Sequence, residues 1–383
     1  MASQKIDKWT ATAIVVANMI GTGVFTSLGF QLSDIQNAWS ILFLWVFGGL
    51  IALAGAFTYA EVGSYWLRNG GEYYYLSRLY HPSLGFVAGF VSVIVGFAAP
   101  IAASAVAFSK YLSYSFFHPS SFVQTILALA VVSCISFVHL LSIRISSLFQ
   151  KYLTFLKIVI IILYVGAFFF SNANAPLFEW HPHQFISDIL SPTFAVNLIY
   201  VSYAYSGWNA AAYIAGEIAQ PERNLSKALI SGTSIVMALY VLLNMSFLYA
   251  APVQQLKGNV EVGIISAPYI FGKTGGFVIG LLISLLLIST ISSMLIASPR
   301  VLASMGQDYR LLAVFEKRNK FHSPYIALIG IWTISIVFIL TSSFQWLINF
   351  IGMTLIIFTT LTSLGIFLLR KKETYKPVFI SPL

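Results

Sequence analysis

Long apolar runs separated by short polar stretches dominate this chain, and one crossing of a bilayer needs about 20 such residues at 1.5 Å of helix rise each. Ten runs meet that length. The first five are 9–31, 38–66, 84–113, 123–143 and 150–170; the second five are 189–215, 227–250, 275–299, 323–341 and 345–369. The more polar stretch 251–274 reads as an external loop with a short helix of its own, and 371–383 as a tail. The pattern predicts an all-α polytopic membrane protein. Its first and sixth runs are broken in mid-span, at Asn18-Met19-Ile20-Gly21-Thr22-Gly23-Val24-Phe25 and at Tyr203-Ala204-Tyr205-Ser206-Gly207-Trp208-Asn209-Ala210.

A break at membrane depth leaves backbone N–H and C=O groups without helical partners. It persists only where it is buried in protein or lines a cavity. A matched pair in corresponding places is the sequence mark of a transporter's binding site. Five crossings per set is an odd number, so the two broken runs cross in opposite senses, as inverted repeats require. That divides the chain into a first five-helix repeat, 1–170, and a second, 189–370. No letter-by-letter repeat is visible, and the symmetry rests on where the breaks fall.

Composition agrees with a membrane protein. Hydrophobic residues make up 58% and charged residues 9%, against about 25% charged in ordinary soluble domains. The formal charge of +9 has its explanation in placement. With the N-terminus inside, Lys110, Lys257 and Lys273 fall outside and Lys157 within a span, while the rest of the 21 Lys and Arg residues gather on the inner side. This is the positive-inside bias. It predicts cytoplasmic N- and C-termini in a plasma (inner) membrane, and it removes the case for nucleic acid. Lys5 and Lys8 precede an apolar stretch, Trp9 to Phe30, too long for a signal peptide, so the first helix is expected to stay. The single cysteine, Cys134, excludes an intrachain disulfide and is expected to be a small packing residue.

The breaks carry candidate chemistry. Gly21 and Gly23 flank Thr22, and glycine permits φ > 0 and close approach to the main chain. The amino end of a half-helix offers free N–H groups and a positive dipole end to a carboxylate. The carboxyl end offers carbonyls to an ammonium or an alkali cation. A zwitterionic amino acid needs both. Packing of helices through small residues is the alternative role for Gly-x-Gly. At the second break Ser206 and Gly207 are the expected unwound positions. Tyr205 and Trp208 are placed to cover a substrate and Asn209 to bond a polar group, although rings in a chain with 16% aromatics also serve simple packing.

The stretch from Met19 to Phe25 resembles the first-helix motif of the amino acid–polyamine–organocation transporter superfamily. Tyr203 through Gly216-Glu217, with Pro221-Glu222-Arg223-Asn224-Leu225, is similar to the sixth helix and following loop of its L-amino-acid transporter branch. Gly70-Gly71-Glu72-Tyr73, Ser298-Pro299-Arg300 and Met305-Gly306-Gln307-Asp308 also match family motifs, and the similarity runs from Trp9 to about Pro377. The resemblance implies a LeuT-type fold with a 5+5 inverted repeat, discontinuous helices 1 and 6, and alternating access. It further implies that Ile20, Gly21, Thr22 and Gly23 face the substrate carboxylate and that Tyr205, Ser206 and Gly207 offer carbonyls to its amine. Trp208 and Asn209 then stand beside the side-chain pocket.

Lys157 is the sharpest intramembrane residue, because a lysine in mid-span costs roughly 2.5–3.5 kcal/mol on insertion scales. It is six residues from Lys151, roughly 9 Å along a helix, so snorkelling to the interface is one role open to it. The resemblance implies another: an ammonium in the place of a sodium ion, bridging helices one, five and eight, which makes transport sodium-independent. Ser292 and Ser293 stand where the family's sodium-like site would put its hydroxyls, although serines in membrane helices often just bond the i−4 carbonyl. Tyr240, with Asn244 one turn on, resembles a branch tyrosine near that site; ordinary interhelical bonding is the other role open to it.

Glu61, Glu72 and Glu217 sit at ends of spans and read as structural anchors or as gate ion pairs with nearby arginines. His139 is expected to be interfacial. His181 and His183 lack further ligands for a metal. No phosphate loop, zinc-protease motif or Ser/His/Asp grouping is present, which argues against an enzyme, and no cofactor is expected.

Together these features point to a sodium-independent secondary transporter, an exchanger or uniporter, of amino acids. Neutral substrates are expected because no charged residue adjoins either break. Proton-coupled symport through Lys157 is the nearest alternative, and a non-transporting amino acid sensor is the alternative of another class. The expected partners are the amino acid and the lipid bilayer, with a homo-oligomer or accessory subunit left open.

Overall fold

The computed structural model describes residues 5–116, 120–141, 143–170, 181–259, 261–272, 274–321 and 323–382. Lys273, assigned to the outer side, lies outside these residues, as does Leu383 at the end of the tail. Helices account for the architecture, and among the described residues the sole β-type pairing is one isolated parallel bridge between Ile6 and Ile218.

The first crossing is two half-helices, α1 (Lys8–Met19) and α2 (Gly23–Asp34). Asp7 starts α1 by accepting the Thr10 N–H at 2.7 Å, and Asn37 starts α3 (Ala38–Tyr65) by accepting from Trp39 and Ser40. A short helix, α4 (Glu72–Leu79), precedes the third crossing. That crossing runs from α5 (Pro82–Val91) through a π-helical stretch, Ser92–Ala98, into α6 (Ala99–Phe116). Pro100 has no N–H to give the Gly96 carbonyl, and the widened turn stands just before it. Next come α7 (Ser121–Leu141) and α8 (Ile143–Phe169).

The second half opens with α9 (Pro182–Ile189), followed by α10 (Pro192–Tyr205) and a 3-10 segment, Ala210–Glu217. It continues with α11 (Pro221–Ala250), the short α12 (Val253–Leu256) and α13 (Val262–Phe271), and the long α14 (Gly275–Asp308). A 3-10 turn, Arg310–Glu316, leads to α15 (Tyr325–Thr341) and α16 (Phe344–Arg370).

Among the described residues eight helices are long and apolar enough to cross a membrane, or nine if one bent pair counts as a crossing. This is an integral membrane protein. Two of the expected runs differ from simple spans. The sixth is the bent pair, Pro182–Ile189 with Pro192–Glu217, turning through 73° where Ser191 and Pro192 start a new helix. The ninth, α15, has 17 residues, short of a full straight crossing. The loop expected between the seventh and eighth runs holds two short helices, α12 and α13.

The most extensive helix pairings are α3 with α11 and α6 with α14. Between them lies a core that includes Trp45, Tyr59, Tyr205, Tyr240 and Lys157, all fully buried. One further expectation is corrected: Cys134 faces outward from α7 and does not pack inside. His139, in the last turn of α7, is 5% exposed, with Nε2 3.0 Å from the Ser292 hydroxyl.

Candidate functional site

The two breaks touch. A Cβ on Gly23 would stand 2.5 Å from the Ala204 Cα, and one on Gly207 would stand 3.0 Å from the Asn18 carbonyl carbon. Each break therefore packs its glycine against backbone of the other segment. The Thr22 and Tyr203 hydroxyls join the same pair of segments at 2.6 Å. Gly207 also uses a positive φ of 93°, whereas neither Gly21 nor Gly23 does. At the first break glycine serves close approach; at the second it serves close approach and turn geometry.

Carbonyls freed by the first break are satisfied from other helices. The Lys157 ammonium, from α8, donates to the Ile20 carbonyl at 2.6 Å, to the Ala17 carbonyl at 3.2 Å and to Thr290 Oγ1 at 2.8 Å. Thr290, from α14, also donates to the Ile20 carbonyl at 2.7 Å. Lys157 is 0% exposed, so it does not snorkel. Three helices thus meet at one ammonium. Ser292 and Ser293 do not contribute the hydroxyl expected of them. Ser293 turns back to the Thr290 carbonyl at 2.8 Å, and Ser292 points to His139. Thr290 lies one turn before Ser293, and this one-turn offset along α14 is what the sequence left unresolved.

Tyr240 of α11 spans both breaks. Its hydroxyl is hydrogen-bonded to the Met19 carbonyl and, at 3.0 Å, to the Ala204 carbonyl. Asn244, one turn on, gives its amide to the Tyr240 carbonyl at 2.8 Å. Tyr205 is held in place by its hydroxyl bond to the Trp45 carbonyl at 3.0 Å and by its ring against Tyr240, 5.0 Å between centroids.

A cavity of about 520 Å3 lies against the second break. Tyr205, Ser206, Gly207, Trp208 and Asn209 all line it, with Asn18 from the first. Ile20, Gly21, Thr22 and Gly23 are buried without lining it. Ser206 donates to the Tyr203 carbonyl at 2.7 Å. The Trp208 indole stands edge-on to Tyr59, 4.7 Å between centroids, over Gly55, where a Cβ would meet the ring at 2.6 Å.

Glu72 enters the cavity wall from a different direction and corrects a second expectation. No arginine pairs with it among the described residues. Its Oε1 accepts from Tyr59 Oη and from Asn209 Nδ2, both at 2.7 Å, and its Oε2 accepts from Tyr213 Oη at 2.9 Å and Ser92 Oγ at 3.1 Å. Burial pushes the Glu72 carboxyl above its ordinary value, while these four bonds favour the anion. Two left-handed glycines, Gly70 (φ 120°) and Gly71 (φ 54°), make the turn that delivers it; a Cβ on Gly71 would strike the Tyr213 ring at 2.5 Å. A charged residue therefore adjoins the second break after all, brought by the fold rather than by neighbouring sequence.

Glu217 and Glu61 do pair with arginines. Arg300 grips Glu217 through two bonds of 3.1 and 3.2 Å, and Arg370 grips Glu61 at 2.9 and 2.6 Å. Glu217 sits where the N-terminal strand-like residue Ile6 bonds the 217–219 backbone, both bonds at 2.8 Å. Beside it Asn69 accepts the Gly216 N–H at 2.8 Å, and Ser304 donates to the Asn69 carbonyl at 2.9 Å. These bonds tie the N-terminal segment, the turn before α4, the 3-10 segment and α14 to one another. Among the described residues no group of three or more His, Cys, Asp or Glu side chains could hold a metal ion.

A family model described as amino acid permease matches residues 6–382. The chain belongs to the amino acid permease family. Members carry amino acids and are transporters, not enzymes. The permease is 29% identical over 378 residues to the b(0,+)-type amino acid transporter 1 of Homo sapiens, covering 96% of this chain and 76% of that one. It is 26% identical over 367 residues to the serine/threonine exchanger SteT of Bacillus subtilis (strain 168), covering 94% and 82%. It is 25% identical over 384 residues to the large neutral amino acids transporter small subunit 2 of Mus musculus, covering 98% and 72%.

Proposed function

We propose that this permease is a sodium-independent exchanger of neutral amino acids with a LeuT-type 5+5 inverted repeat, residues 1–170 against 189–370, and ten crossings. Both halves follow one order: a broken helix, a long helix, short helices outside the span, then three more long elements. The heaviest pairings, α3 with α11 and α6 with α14, join positions that such a repeat makes equivalent. Lys and Arg placement supports cytoplasmic termini and a plasma (inner) membrane location.

One observation carries sodium independence. The Lys157 ammonium holds the Ile20 and Ala17 carbonyls and the Thr290 hydroxyl, oxygens that would otherwise suit a small cation. In the proposed cycle the substrate amine meets the Tyr205–Gly207 carbonyls and its side chain lies by Trp208 and Asn209. The carboxylate meets the amino end of α2 at Ile20–Gly23, where Thr22 makes no side-chain cap. Because that break does not line the cavity, its engagement requires a shift of α1 and α2 toward the substrate. Exchange is favoured by the likeness to a serine/threonine exchanger, and neutral substrates by that likeness together with the one to a large neutral amino acids transporter subunit, since Glu72 removes the argument from an uncharged site.

Counterflow of labelled serine, threonine and leucine in proteoliposomes tests this, in sodium and in choline buffer. Exchange of equal rate in both is expected. Dependence on sodium, or binding with no counterflow, overturns it. Proton symport is the second reading, favoured by the absence of any carboxylate bonded to Lys157 among the described residues; stimulation by an inward proton gradient would select it.

A further inference from the structure

Three cations converge on a cleft that the transport site does not use. The cleft, about 600 Å3, lies where α1 and α11 both begin, with Lys8 on one helix and Arg223 and Lys227 on the other. Lys8 and Pro221 are the first residues of two membrane-spanning helices, so this is the boundary between membrane and water. Glu222 is the one carboxylate in the lining. None of these three cations forms an ion pair among the described residues; Lys8 stands over the Trp9 ring at 4.7 Å.

The backbone adds to the same field. The first turns of both helices line the cleft, and a helix amino end is a partial positive charge that disfavours cations. Asp7 caps α1, but Gln220 precedes α11 in a left-handed conformation (φ 46°) and makes no side-chain cap bond. Three unpaired cations beside an uncapped amino end repel one another unless an anion sits between them. Positive-inside topology explains cations on this face, but not their convergence on one cleft from two helices.

The remaining wall is apolar. Trp9 is 67% exposed and Ile230 and Phe379 complete the surface. A tryptophan at the membrane boundary suits the headgroup level, and basic pockets between membrane helices suit anionic headgroups. A free phosphate would use the cations and leave the apolar wall wet; a phospholipid uses both.

We propose that this cleft binds the headgroup of an anionic phospholipid, its phosphate among Lys8, Arg223 and Lys227 and its glycerol and acyl part along Trp9, Ile230 and Phe379. A lipid held there ties α1, the half-helix whose carbonyls hold Lys157, to the start of α11.

Native mass spectrometry of the purified full chain tests the site, using phosphatidylglycerol and phosphatidylcholine with identical acyl chains. Phosphatidylglycerol should be retained at least about tenfold better, and the Lys8→Gln, Arg223→Gln, Lys227→Gln triple variant should lose that preference. A control variant of equal charge loss, Arg310→Gln, Lys317→Gln, Lys320→Gln, should keep it. Equal retention of the two lipids, or a triple variant that still prefers phosphatidylglycerol, overturns the proposal. So does loss of the preference in the control, which would make it a general charge effect. Thermal stabilisation by inorganic phosphate equal to that by phosphatidylglycerol would mark a free-phosphate site and overturn the lipid assignment. Should the triple variant not purify as a folded species, the single variants, each at a surface side chain, carry the same comparison.

Discussion

The Lys157 ammonium donates to the Ile20 carbonyl at 2.6 Å, so the first break is held open by a charge from α8. Replacing Lys157 with alanine removes the ammonium from the Ala17 and Ile20 carbonyls and from Thr290 in a fully buried place; Ile20 keeps the Thr290 hydroxyl, while the Ala17 carbonyl loses this donor. An orphaned buried acceptor costs about 1–3 kcal/mol. The variant should lose counterflow and melt lower than the wild type. Lys157→Ala protein with unchanged melting and exchange would show that the ammonium is dispensable.

Contact between the breaks predicts a graded glycine series. Gly23→Ala forces a Cβ to 2.5 Å from the Ala204 Cα, where only backbone movement relieves it, and Gly207→Ala adds a left-handed φ to a 3.0 Å approach. Both should destabilise the fold as well as the site. Gly166→Ala, with nothing within 4 Å, should instead stabilise α8 by about 0.5–1 kcal/mol. Melting curves in detergent compare the three; equal behaviour of Gly23 and Gly166 variants would contradict the packing.

How far these features are legible in the sequence depends on whether a residue's partners are local. The breaks are legible because glycine and free backbone are costly in an apolar run, and Lys157 because a charge there is. Thr290 is not, since Ser289, Thr290, Ser292 and Ser293 crowd about one turn of α14 and only the packing against α1 and α8 decides which meets Lys157. Glu72 is not, because its four partners come from α3, the π-helical stretch, the second break and the 3-10 segment, between 13 and 141 residues away. The bend of the sixth crossing has a local mark instead: α9 carries His183, Gln184, Ser187 and Asp188, and Ser191 with Pro192 makes the cap and first position of a new helix.

Glu72 should give the stability of the permease a pH dependence of known sign. Burial holds its carboxyl above the ordinary 4.5, so the folded state keeps the proton more tightly than the unfolded chain. The stability this group contributes is full below 4.5 and is lost as pH rises through its folded value. Glu72→Gln cannot titrate. The melting temperature of the variant minus that of the wild type should therefore grow as pH is raised from 4.5. A difference that stays flat with pH would show the carboxyl to be unperturbed.

Among the described residues Glu217 and Arg300 form a part-buried ion pair, with side chains 16% and 8% exposed. Removing Arg300 takes two charge-assisted bonds from a half-buried carboxylate, at a cost of about 1–3 kcal/mol. In Arg300→Ala, Glu217 would keep only the Asn69 amide at 3.5 Å, and the backbone pairing of Ile6 with residues 217–219 would lose its support. Loosening these ties should raise access to the cavity from the N-terminal face. Because Cys134 is exposed, the measurement needs a Cys134→Ser background, with Ser206→Cys as a reporter in the cavity wall. A membrane-impermeant maleimide applied from the N-terminal face should then label the Arg300→Ala protein several times faster than its parent. The double reversal Glu217→Arg, Arg300→Glu should slow labelling again by restoring opposite charges. Equal rates in the parent and Arg300→Ala would mean that this pair anchors helix ends without governing access.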